Sequence, residues 1–142
     1  MSKSTKIDQK GRLKIPANVD HGFEEMGDEF FITSEDGNCA RIYPLRTWAE
    51  IEKRLVRLSA HNRNMQKLLL RAKYFGQSVK MDEHGRVLIP LVLRKTALMK
   101  GEVDVFGYQN YLEVWNHARL VKTMNRSPIT EQDEILMERL AS

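Results

Sequence analysis

The chain has 142 residues, 42% of them hydrophobic and 30% charged, enough to bury one ordinary core or two very small ones. That mixture excludes disordered and fibrous classes, and the apolar runs, the longest being "VLIPLVL", are too short for a membrane-spanning helix. The formal net charge of +4 is uneven: "SPITEQDEILMERLAS" at the C-terminal end holds four acids against one Arg, so the remainder carries +7 and favours a polyanionic partner.

In chain order, "MSKSTK" lacks the apolar segment of a signal peptide, which points to the cytoplasm. "DQKGRLKIP", Asp8 to Pro16, then reads as a tight turn, a short strand and a proline suited to the first turn of a helix. "DEFFIT", the turn "SEDGN" and "CARIY" predict a hairpin. Thr47 followed by Glu50 predicts a capping box, opening a helix with Trp48, Ile51, Leu55 and Leu58 on one face. A second helix follows "AHN", with Met65, Leu68, Leu69 and Ala72 as its apolar stripe. Arg63, Lys67 and Arg71 form a separate basic stripe, best read as a solvated face. "DEHGRVLIP", Asp82 to Pro90, leads into a short helix stopped by Gly101, then a second hairpin from "EVDVFG" and "YLEVW". Thr130 opens an acidic amphipathic helix whose anchors, Ile135, Leu136 and Leu140, are expected to pack on a neighbour.

The nonapeptide is written twice, and the hairpin signals after it repeat as well, so the halves read as structural copies in an α+β chain. Residues 1–47 and 76–119 are the two units, 48–75 the helices between them, and 120–142 a helical tail. In each motif Asp stands first and Gly fourth, the preferences of a type I turn, so Asp8, Gly11, Asp82 and Gly85 are turn-shaping. Alternation along the strand buries Leu13 and Ile15, or Val87 and Ile89, and sends Arg12 and Arg86 outward.

Two readings of those arginines compete. Each can pair with its own turn's Asp, a purely structural role. Around the first turn, however, Lys3, Lys6, Lys10, Arg12 and Lys14 face the single acid Asp8, more positive charge than internal pairing needs, and a phosphate-facing surface explains the excess. The second copy offers Lys80, His84, Arg86 and Arg94 but adds Glu83 and replaces the outward Lys with Leu88. A guanidinium fits a phosphate or the O6/N7 edge of guanine, making Arg12 and Arg86 base-reading candidates, with Lys6, Lys10, Lys14 and His84 as backbone contacts.

The pattern D-x-x-G-R, apolar strand, Pro resembles the AbrB-type swapped-hairpin DNA-binding module. With "YPLRTWAEIEKRL" after the first unit and "QKLLLRA" before the second, nearly the whole chain is similar to the MraZ family of bacterial transcriptional regulators. The resemblance implies two tandem swapped-hairpin units with pseudo-two-fold symmetry. It implies, too, a repressor that binds short direct repeats upstream of the division and cell-wall gene cluster, its own promoter included. A nucleoid-associated, ring-shaped homo-oligomer follows from the same likeness, with an octamer as the first expectation. The DNA-facing residues it implies are Asp8 and Arg12, and Asp82 and Arg86. Where the family carries a basic residue four after the motif proline, this chain has Arg94 in the second copy but Asp20 in the first.

Nothing in the spacing suggests catalysis, a metal or a cofactor. Cys39 is the only cysteine, His21, His61, His84 and His117 are scattered, and there is no Gly-rich phosphate loop. The rival to a DNA-binding regulator is an antitoxin-like interaction module on the same fold.

Overall fold

The computed structural model describes residues 2–16 and 27–142. The expected short helix after Pro16, with Asp20 and His21, lies outside the described residues.

Strands β1 (Ser2–Ile7) and β2 (Arg12–Lys14) flank the first turn; β3 (Glu29–Thr33) and β4 (Ala40–Pro44) form the first hairpin. Helices α1 (Leu45–Ser59) and α2 (Arg63–Phe75) connect the halves. The second half repeats the order with β5 (Gln77–Lys80), β6 (Arg86–Leu88), α3 (Leu91–Thr96), β7 (Gly101–Gly107) and β8 (Leu112–Asn116), and α4 (His117–Arg126) and α5 (Glu131–Ala141) follow.

All eight strands join one antiparallel sheet in the order β5-β3-β4-β8-β7-β1-β2-β6. The end strands β5 and β6 are consecutive in the chain and joined by the second turn, so the sheet curls nearly to closure. The strands are exchanged between halves. β1 pairs with β7 of the second half, from Ser2↔Phe106 to Ile7↔Gly101, and β5 pairs reciprocally with β3 of the first. The two motif strands lie against each other, β2 on β6, and the two closing strands, β4 on β8, do the same. This is the pseudo-two-fold, swapped-hairpin arrangement that the family resemblance implies, built from the two copies that the repeat predicts.

The core follows from the alternation. Leu13 and Ile89 are fully buried and Val87 nearly so, and with Ile32, Leu93 and Val105 they fill the interior of the curled sheet. Burying a Leu or Ile side chain contributes about 1.5–3 kcal/mol. Ile15 is only partly buried at the edge of this cluster.

Several local expectations need correction. The capping box at Thr47 does not form: α1 starts at Leu45 directly off β4, with Pro44 at its N-cap and no side-chain cap. Packing sets that start, because Trp48 must reach the sheet to stack on Phe31, with ring centroids 4.7 Å apart. Leu58, expected on the apolar face, is 50% exposed. α3 ends at Thr96, before Gly101, because Leu98 takes a left-handed φ of 53° and breaks the helix; Gly101 opens β7 instead. The tail holds two helices, and α4 had no distinct sequence signal. The Thr130 start of α5 is as expected, its side chain accepting from Asp133 N in a capping box.

Candidate nucleic-acid interface

Each motif turn is closed by the same hydrogen bonds. Gly11 N donates to the Asp8 carbonyl at 3.0 Å and Asp8 N to the Arg12 carbonyl at 3.0 Å; Gly85 to Asp82 and Asp82 to Arg86 repeat this at 3.0 and 2.8 Å. Glycine is required at the fourth place because φ is +87° at Gly11 and +77° at Gly85, a conformation that costs a side-chain-bearing residue about 1–2 kcal/mol. Asp8 Oδ1 accepts from Lys10 N and Arg12 N, and Asp82 Oδ1 from His84 N and Arg86 N. These bonds hold both carboxyls below the usual aspartate range: for Asp8 the backbone N–H of Arg12 is the largest cause, for Asp82 that of Arg86.

The second carboxylate oxygen settles the pairing question. Asp8 Oδ2 accepts from Arg12 Nε at 2.7 Å, and Asp82 Oδ2 from Arg86 Nε at 3.0 Å. The structural pairing is therefore real in both copies, and each Asp fixes its Arg. Both bonds are side-on through Nε and leave the Nη ends with no hydrogen bond among the described residues; the arginine side chains remain 32% and 28% exposed. Arg86 Nη1 lies 4.0 Å from Asp8 Oδ2, so the two guanidinium groups gather around one carboxylate.

The ladder of β2 on β6 sets where the candidate residues lie. Arg12 is opposite Leu88 and Lys14 opposite Arg86, so Arg12, Lys14 and Arg86 share one outward face. The two turns stand at opposite ends of this ladder, tied across it by Ile15 N to the Gly85 carbonyl and Ile89 N to the Gly11 carbonyl. A three-residue strand is about 10 Å long, so the sequence's two surfaces are one patch, with Lys10 exposed at one tip and His84 at the other. Lys6 is exposed at the end of β1 beside the first turn. Lys6, Lys10 and Lys14 have no ion-pair partner among the described residues, whereas His84 faces Glu83 at 3.6 Å and Lys80 faces Asp28 at 3.9 Å. The positive excess is thus carried by the lysines of the first copy.

One basic residue of the second copy acts where the sequence did not place it. Arg94, on α3 of the second half, crosses to the first turn: its Nη1 donates to the Lys10 carbonyl at 3.3 Å and its Nε to the Ile89 carbonyl at 3.0 Å. Its side chain lies over Gly11, where a Cβ would come within 2.6 Å of Arg94 Cδ. The two residues are 84 positions apart, a separation that no local pattern reports.

Three groups away from the patch are engaged within the fold or shut off from solvent. Arg41 pairs with Glu35 and Glu113 and lies 4.6 Å from the Tyr111 ring centre, beside a cavity of about 140 Å³. Cys39 is buried, and burial pushes its thiol up to about 12, which leaves it unreactive at neutral pH. His117 Nδ1 lies 2.8 Å from Asp104 Oδ2, a pair the sequence did not suggest, and the Asp104 hydrogen bond raises the imidazole's pKa. No cluster of metal-ligating side chains occurs among the described residues, nor any helix long and apolar enough to cross a membrane.

The chain is 47% identical over 131 residues to a transcriptional regulator MraZ of Acidobacterium capsulatum, covering 92% of this chain and 90% of that protein. The chain belongs to the MraZ family. A transcriptional regulator MraZ of Koribacter versatilis is 43% identical over 132 residues, and one of Nitrosococcus oceani 30% over 134, each again spanning 90% of the relative and 92% and 93% of this chain. The family model described as "MraZ protein, putative antitoxin-like" matches residues 76–140, the second half and the tail. The MraZ relatives are thus named as regulators of transcription.

Proposed function

We propose that this MraZ-family chain is a sequence-specific, double-stranded-DNA-binding transcriptional regulator and has no catalytic activity. The observation that carries the reading is the single face formed by β2 and β6, where Arg12, Lys14 and Arg86 stand side by side between two tips. The lysines contact phosphate and release counterions, and the Asp-fixed arginines reach base edges. It acts in the cytoplasm at the nucleoid, as a repressor of the division and cell-wall gene cluster through short direct repeats that include its own promoter. Several copies in a closed ring, eight as the first count to test, engage successive repeats, so avidity multiplies a modest single-face affinity.

The test is a footprint of the purified protein on the DNA upstream of its own gene. Protection of regularly spaced repeats, with no second protein co-purifying in stoichiometric amount, is the expected result. Stoichiometric capture of a small toxin, with no protected DNA, would instead favour the antitoxin-like reading that the family description mentions.

A further inference from the structure

α5 stands away from the rest of the chain. None of its residues is buried, and Leu136, Met137 and Leu140 are 55%, 67% and 83% exposed. An eleven-residue helix is too short to be stable in water on its propensity alone, so this one needs a surface to lie on. Its charge says which kind: Glu131, Asp133, Glu134 and Glu138 against Arg139 give a net −3. DNA repels such a helix.

The helical pair is its opposite in charge and its match in polarity pattern. Residues 45–75 hold eight Lys and Arg against two Glu, a net +6. Among those cations only Lys53 has an ion-pair partner among the described residues, Glu50 at 3.7 Å. Interleaved with them are exposed apolar side chains: Val56 at 49%, Leu58 at 50%, Leu70 and Tyr74 each at 67%. Leu68, 39% exposed, forms with Ile51, Leu55 and Ala72 an apolar part of the lining of the cavity of about 140 Å³, which Glu35 and Arg41 also line, and against that part an apolar side chain can insert. A basic surface meant only for phosphate has no use for exposed leucines; an acidic amphipathic helix uses both features.

We propose that α5 of one copy docks on the α1–α2 pair of a second copy. The opposite charges stand within one chain, so every copy offers both surfaces in equal number, and α5 does not occupy its own α1–α2 pair in the structure. Contact between two different surfaces is head-to-tail, and repeated with rotation it closes a ring. The inference names the surfaces behind the assembly in the proposed function. Assembly is measured without DNA, so its failure leaves the motif face untouched and failure of the DNA reading at that face leaves it standing.

Two full-length variants test it by sedimentation at micromolar concentration. Glu134→Lys/Glu138→Lys takes the tail from −3 to +1, and Arg63→Glu/Lys67→Glu/Arg71→Glu/Lys73→Glu takes the receiving face from +6 to −2; all six side chains are exposed, so the fold is retained and thermal melting confirms it. The parent is expected at a multiple of its 16.6 kDa chain mass, each variant alone at the single-chain mass. An equal mixture recovers the multiple, because each reversed surface then meets its complement. Leu136→Ser/Leu140→Ser, which cannot disturb a core, also loses assembly. A single-chain parent, a variant that keeps the parent's mass, or a mixture that stays dissociated overturns the proposal. So does a receiving-face variant that assembles normally but loses DNA binding, since that assigns the basic helices to phosphate.

Discussion

At the first turn a guanidinium from the other half of the chain lies on Gly11; at the second, nothing among the described residues comes within 4 Å of the matching point on Gly85. The turns themselves are alike to within 0.2 Å in their closing hydrogen bonds. A repeated motif thus reproduces its own backbone but not its support, which comes from residues outside it. The first turn is braced by Arg94 and surrounded by unpaired lysines, whereas the second is self-contained, with Glu83 beside its His84. The two ends of the patch proposed to face DNA are therefore unequal in support and in charge.

The core beneath the patch gives the largest expected effect. Leu13 and Val87 are partners across the β2·β6 ladder and both are buried. Leu13→Ala is expected to cost about 3–5 kcal/mol in urea denaturation, and Val87→Ala roughly 0.8 kcal/mol less, one methylene's share. An equal loss would mean that the cavity at the second copy does not relax as the first does.

Next comes the support itself. Gly11→Ala and Gly85→Ala both force a side chain into left-handed φ at about 1–2 kcal/mol. The first also displaces Arg94 from two carbonyls, worth roughly 1.5–3 kcal/mol more for bonds from a charged donor. Gly11→Ala should therefore be the more damaging, and in an Arg94→Met background the difference between the two should shrink. A difference that survives Arg94→Met contradicts the bracing role.

The smallest effect is an acid limb that the two turns should share. Folding lowers the Asp8 and Asp82 pKa values below 3.8, so their contribution is complete above that value and lost as pH falls through the lowered folded-state values. Asp8→Asn and Asp82→Asn should each flatten stability against pH in that acid window, by similar amounts, and leave the neutral region's slope unchanged. A loss confined to one variant would show that the backbone bonds, though alike in geometry, are unlike in strength.

Much of this was legible in the sequence because it is local. Asp and Gly at fixed places dictate the turns, alternation dictates that Leu13 and Val87 face inward, and Thr130 caps α5 through the neighbours it predicts. What escaped is long-range. The polar segment "SKSTKI" becomes a six-residue strand only because β7 supplies its partner, and the arginine bracing the first turn comes from α3. α1 ignores the Thr47 capping signal because Trp48 stacks on Phe31. The charge excess pointed to a polyanion, yet it could not reveal that both motif arginines are held by their own aspartates, nor that the two copies merge into one patch.

The central claim is that this merged patch reads DNA through Arg12, and it is tested most directly by comparing Arg12→Ala with Lys14→Ala on operator and random-sequence DNA. Arg12→Ala is expected to cost about 1–3 kcal/mol per engaged site and to narrow the gap between operator and random DNA. Lys14→Ala should weaken binding about equally on both, with a salt slope shallower by roughly one. An Arg12→Ala protein that folds, assembles and binds the operator as tightly as the parent would contradict the claim and leave Arg12 as the turn-stabilising partner of Asp8.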